Sequence, residues 1–157
     1  MHTLKPAESL EELNNFIDSA IHRCGHAVIG VYDTGMYTVG LTPDHGFEIF
    51  VPLVDEKFRT IINELVFNDR LEVGKVYESS TLQVRGSNLR LRLVEVTDQE
   101  DRLFVINHLL CKADERYHLG DKKVLLLEIG DRNNVLPGEP GYDYFQGVAK
   151  LRMRIGN

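Results

Sequence analysis

Residues 35–51, GMYTVGLTPDHGFEIFV, place Asp44, His45 and Glu48 within five positions of one another. A histidine beside carboxylates is suited to general acid–base work, since imidazole titrates near neutral pH and a carboxylate can orient it. One reading is a small hydrolase or transferase using His45 with Glu48 or Asp44. The other is a polar turn between two strands. Residues 22–26, HRCGH, set Cys24 between His22 and His26, the residue types a thiol nucleophile and its base need. Cys24 also continues an apolar helical stripe, however, and Cys111 sits in a similar setting, so both are expected to be buried, inert thiols. The six histidines are His2, His22, His26, His45, His108 and His118. His22 and His26 have ligand-like i, i+4 spacing, but Gly25 intervenes and puts His26 beyond the helix end. Neither H-E-x-x-H nor C-x-x-C occurs, so no metal, cofactor or catalytic residue is assigned.

A second constellation is basic. STLQVRGSNLRLRLVEV reads as two strands around a Gly86-Ser87-Asn88 turn. With the turn at either Gly86-Ser87 or Ser87-Asn88, alternation puts Leu89, Leu91 and Leu93 on one face. Arg85, Arg90 and Arg92 then share the other. Such a face attracts a phosphate or carboxylate, or is neutralised by the chain's own acids.

These residues need elements to position them. Ser9-Leu10-Glu11-Glu12 forms a capping box, followed by Leu10, Leu13, Phe16, Ile17, Ala20, Ile21 and Cys24 at helical spacing, with Gly25 as the stop. HAVIGVYD and MYTVGL predict a hairpin, in which Gly30 and Gly40 mark bulges or close backbone approaches. FEIFVPLV predicts a buried central strand. Asp55 caps a second helix with Phe58, Ile61, Ile62, Leu65 and Val66 inward, ending at Asn68-Asp69. Thr97-Asp98-Gln99-Glu100 opens a third, through about Leu110. KKVLLLEI is a further strand, and AKLRMRI a candidate last one. Helices interspersed with hairpins predict an α+β fold: a mainly antiparallel sheet of about six strands with three helices.

The chain has 157 residues, enough for one domain, with residues 1–7 and 155–157 expected as loose ends. Hydrophobic residues make up 43% and charged residues 27%, ordinary for a globular protein. No apolar run approaches the ~20 residues needed to span a bilayer. The N-terminus does not read as a signal peptide, so a cytoplasmic protein without a membrane partner is expected. A net charge of −6 argues against a nucleic-acid polymer as partner, because each phosphate contact wants a cation.

Three segments carry a resemblance: Met36-Tyr37-Thr38-Val39-Gly40-Leu41, then Gly46-Phe47-Glu48-Ile49, then Leu136-Pro137-Gly138-Glu139-Pro140-Gly141-Tyr142-Asp143 followed by Gln146. In order and spacing, over roughly residues 25–146, the chain resembles domain-of-unknown-function family 4262 of bacteria and their phages. It departs where that family has His-Pro, since Gly46 stands in the histidine's place or His45 is shifted by one. It also lacks the family's late tryptophan. The resemblance implies no reaction. It implies that the segments meet in space, and a pocket is expected between the Tyr37-Thr38 strand, the 44–48 turn and the Tyr142 loop. The alternative is that Pro137, Pro140 and Gly141 only shape a rigid surface loop packed over the sheet. Tyr142 and Tyr144 would stack on a planar ligand, and the arginine face would hold its phosphates.

The expected function is a non-catalytic, homo-oligomeric binding protein for a small anionic, nucleotide-like ligand, with a phage protein sequestering host nucleotide signals as one version. The binding residues are Tyr37, Thr38, His45, Glu48, Arg85, Arg90, Arg92, Tyr142 and Tyr144. The alternatives are the His45 enzyme and a protein-interaction module without a small ligand.

Overall fold

The structure is a computed structural model that describes residues 9–31 and 34–143. His2, Tyr32, Asp33, Tyr144, Gln146, the AKLRMRI segment and both expected loose ends lie outside the described residues. Within them the fold is α+β, with six strands in one sheet and five α-helices.

Helix α1 (Leu10–Cys24) begins where Ser9 Oγ accepts from the Glu12 N–H at 3.0 Å. It stops at Gly25, whose φ of 86° frees its N–H to reach the Ile21 carbonyl. The hairpin β1 (Ala27–Val31) and β2 (Gly35–Val39) follows. A single turn, α2 (Thr42–His45), leads to β3 (Phe47–Val51). Helix α3 (Glu56–Phe67) is capped by Asp55, which accepts from the Lys57 N–H. The long hairpin β4 (Val76–Val84) and β5 (Ser87–Glu95) comes next, then α4 (Gln99–His108), α5 (Cys111–Tyr117), a 3₁₀ turn (Leu119–Asp121) and β6 (Lys123–Ile129).

The strand order is β1-β2-β3-β6-β5-β4, with β3 and β6 parallel and every other pair antiparallel. The parallel pair lies in the middle and is covered on both faces. Helices α1, α4 and α5 pack with Ile29, Tyr37, Val39, Phe50 and Leu126. Helix α3 packs on the other face with Ile49, Leu89, Leu91, Leu93 and Leu127. This explains the near-continuous apolar runs of β3 and β6, as expected where both faces are buried.

Several local expectations are corrected. Helices α2 and α5 were not anticipated, because one is a single turn and the other carries the polar run CKADERY. The cap of α4 is Asp98, one residue later than the Thr97 box, and the helix ends at His108. Cys24 and Cys111 are exposed, not buried. The apolar face of α1 is also narrower than its periodicity implies, with Leu10 63% and Phe16 38% exposed. The second hairpin turns on Arg85 and Gly86, both at positive φ (51° and 79°), with Val84 facing Ser87. Such a turn matches the right-handed twist of its strands.

Candidate functional site

The most concentrated polar chemistry surrounds Glu48, which has no exposed surface. Strand β2 parts from β3 after Tyr37, so the two pair only at Met36↔Val51 and Tyr37↔Phe50. The Thr38 hydroxyl fills the gap. It accepts from the Ile49 N–H at 2.9 Å and donates to Glu48 Oε1 at 2.8 Å. Gly40 then turns the chain at φ 123°, so close to its neighbours that a Cβ there would lie 2.7 Å from the Gly25 carbonyl oxygen and 2.8 Å from His26 Cα. That close approach is what the glycine in the MYTVGL strand marks. The turn aims three successive N–H groups at one point. Oε1 accepts from Leu41 (3.2 Å), and Oε2 accepts from Gly40 (3.4 Å) and Thr42 (2.8 Å). The Thr42 hydroxyl also donates to Oε2.

Burial pushes the Glu48 pKa up, while the hydroxyls and main-chain N–H groups of residues 38–42 pull it back part of the way. The three N–H groups can only donate, so the cradle suits the ionised form. With no exposure and both oxygens occupied, Glu48 braces the β2–β3 connection. It is not placed as an acid or base for a substrate.

Around this brace the candidates separate. Asp44 and His45 are exposed, and the His45 ring lies beside Phe47 at 5.6 Å between centroids. Tyr37 is buried, and its hydroxyl accepts from the Lys112 N–H at 3.0 Å at the start of α5. Burial raises its pKa well above the phenol value. A void of about 10 Å³ beside it, lined by Val31, Met36, Phe50 and Leu109 among others, is on the order of one water probe. Glu48 pairs in register with Val124 near the start of β6. The Tyr142 loop leaves from the far end of that strand, roughly 17 Å further on at the rise of a strand. The 44–48 turn and the Tyr142 loop therefore do not converge on one pocket, contrary to expectation.

The arginines also divide. Arg85 sits exposed in its turn and does not share the face of the other two, because the turn falls one residue earlier than the Gly86-Ser87 register and two earlier than the Ser87-Asn88 one. Arg90 and Arg92 do share a face, on the side of β5 away from the leucines. Arg90 grips Glu139 with two bonds, 2.6 and 2.9 Å, and also donates to the Asn134 carbonyl. Arg92 donates to Glu128 Oε1 at 3.0 and 2.8 Å and to the Pro137 carbonyl at 2.7 Å. The Arg90 guanidinium holds the Glu139 carboxyl at a pKa of about 2. Across β4, Glu78 is the register partner of Arg90. Three carboxylates (Glu78, Glu128 and Glu139) thus surround two guanidiniums.

What the arginines hold is the late loop. Asp131, which sequence reasoning passed over, accepts from the N–H groups of Asn133, Val135 and Asp143. Asn134 bridges to the Arg90 N–H and the Asn88 carbonyl. Leu136 and Tyr142 are buried beneath the loop. The run DRNN followed by PGEPG carries an Asx-turn signal that could have flagged it.

The sheet edges differ. At β1, Phe16 of α1 meets the Arg59 guanidinium of α3 at 5.6 Å. His26 Nε2 bonds Asn63 Oδ1 at 2.7 Å, and its ring lies 5.8 Å from that of Phe67. Two helices on opposite faces thus meet around this edge, leaving Ala27, Val28 and Ile29 at most 5% exposed. Strand β4 has no neighbour on its outer side among the described residues. It carries Val76, 40% exposed, beside Val73, 45% exposed. An open groove of about 700 Å³ runs along it, lined by Asp69, Arg70, Glu72, Lys75, Tyr77 and Glu78 among others.

No group of three or more His, Cys, Asp or Glu among the described residues is placed to hold a metal ion. No described helix is long and apolar enough to cross a membrane. Comparison of the chain with family models, curated proteins and solved structures returned no match.

Proposed function

We propose that this protein is an interaction module that takes a partner along the open edge of β4. The supporting observation is the contrast between the two edges of the described sheet: α1 and α3 meet beside the buried Ala27–Ile29 of β1, whereas β4 has no described neighbour on its outer side and carries exposed apolar side chains and a groove. An open edge is a template for pairing with another chain, which folds ordinarily cover or blunt. A small anionic ligand held by Arg90 and Arg92 has less support, because both guanidiniums already serve the chain's own carboxylates and carbonyls. The test is affinity capture from cell extract with the wild type and with a folded Val73→Lys/Val76→Lys variant. A protein captured by the wild type and lost by the variant is the expected outcome. Identical captures, or none, would refute the module reading.

A further inference from the structure

We infer that the partner segment is a short, extended peptide with a basic and an apolar side chain two residues apart, adding to β4 as a seventh strand. This rests on the interaction-module reading and names the chemistry of its partner.

Alternation places Val76 and Glu78 on one face of β4, beside their register partners Arg92 and Arg90. Glu78 would ordinarily be neutralised by Arg90 across the strand pair. That guanidinium is instead committed to Glu139 at 2.6 and 2.9 Å, and Arg92 to Glu128. Arg90 still feels the charge of Glu78, but its hydrogen bonds go to the late loop, so three carboxylates face two guanidiniums and the surplus negative charge falls at the exposed Glu78. Two residues away on the same face, Val76 offers apolar surface. On the other face, Lys75 lies 5.4 Å over the Tyr77 ring. Ser79 donates to Glu64, so that face is also lined by a carboxylate. A register shift between Ser79 and Gln83 limits a regular ladder to the first few residues of β4. The docking strand is correspondingly short. The net charge of −6 would steer a cationic segment toward the protein.

The probe is the acetylated, amidated pentapeptide lysine–threonine–valine–threonine–lysine, titrated into the isotope-labelled full chain. Amide shifts and slowed amide exchange confined to Val76–Ser79 and the groove are expected. The peptide with glutamates in place of lysines should bind more weakly. So should one with prolines in place of the threonines, which keeps the charge but loses N–H donors. A Glu78→Lys variant, altered at an exposed position, should bind the lysine peptide about fivefold more weakly or worse. No perturbation of β4, equal binding of the proline peptide, or unchanged affinity of Glu78→Lys would overturn the inference. So would a dimer by sedimentation that Glu78→Lys abolishes, since the occupant would then be a second copy. If the peptides fail while capture still depends on Val73 and Val76, the partner chemistry is wrong and the module reading stands.

Discussion

Replacing Glu48 with glutamine keeps the shape of the side chain and changes what its two terminal atoms can accept. In the better orientation the amide oxygen takes the Oε2 position and keeps Gly40, Thr42 and the Thr42 hydroxyl. The amide nitrogen then meets Thr38, whose hydroxyl can accept, and the Leu41 N–H, which cannot. One buried N–H is orphaned, at about 1–3 kcal/mol. The remaining bonds lose their charge assistance, and relief from burying a charge offsets that loss, as the raised pKa of Glu48 implies. The expected net destabilisation at pH 7 is about 2 kcal/mol, a fall in Tm of roughly 4–8 °C for a chain of this size. Urea denaturation of wild type and Glu48→Gln measures it directly. Because burial raises the folded-state pKa of Glu48, the group binds its proton more tightly folded than unfolded. Its titration therefore favours the fold below the ordinary carboxylate value, and that contribution is lost as pH rises through the folded value. Glu48→Gln removes this slope. Equal stability of the two proteins at pH 7 would refute the reasoning, because it would mean that a neutral group satisfies the cradle as well as a carboxylate.

Gly40→Ala should cost at least about 2 kcal/mol by thermal or chemical denaturation, since the residue combines φ 123° with a Cβ position 2.7 Å from the Gly25 carbonyl oxygen. The Glu139 carboxyl carbon, followed by NMR, should titrate near pH 2 and rise toward the ordinary carboxylate value in Arg90→Gln, held below it by the Leu136 N–H. With the folded value depressed, its contribution to stability is present above the unfolded value and is lost as pH falls from about 4.5 through about 2. Arg92→Met leaves Glu128, 3% exposed, without its guanidinium and should destabilise by about 3 kcal/mol in urea. Both thiols should react with a disulfide reagent in the native state without denaturant, because Cys24 and Cys111 are exposed.

Local chemistry was legible in the sequence where neighbouring residues decide the outcome. The Ser9 and Asp55 caps, the Gly25 stop, the leucine face of β5 and the buried run of β3 each depend on a period or a hydrogen bond spanning a few residues. Those features sufficed for an α+β fold with about six strands. Reading Tyr37, Thr38 and Glu48 together was also partly informative, since Thr38 and Glu48 do meet. What the short polar segments do was not legible. CKADERY has no stripe strong enough to announce α5, and one slip in turn position removed Arg85 from the face of Arg90 and Arg92.

The sequence by itself determined the six strands and the three longer helices, the acidic balance and the alternation that sets Arg90 and Arg92 opposite three leucines. Only the tertiary structure decided what those charges meet. Glu139 lies 49 residues from Arg90 and Glu128 lies 36 from Arg92, separations over which no local pattern specifies a pairing. The same holds for the edges. Whether β1 or β4 is covered depends on helices that cross opposite faces of the sheet and meet at one side of it. A charged or apolar residue acquires its role from whichever distant group the fold brings within about 3 Å. In this protein the fold turns Glu48 inward as a brace and leaves Asp44 and His45 exposed, ties Arg90 and Arg92 to the late loop, and leaves β4 as an outer strand among the described residues.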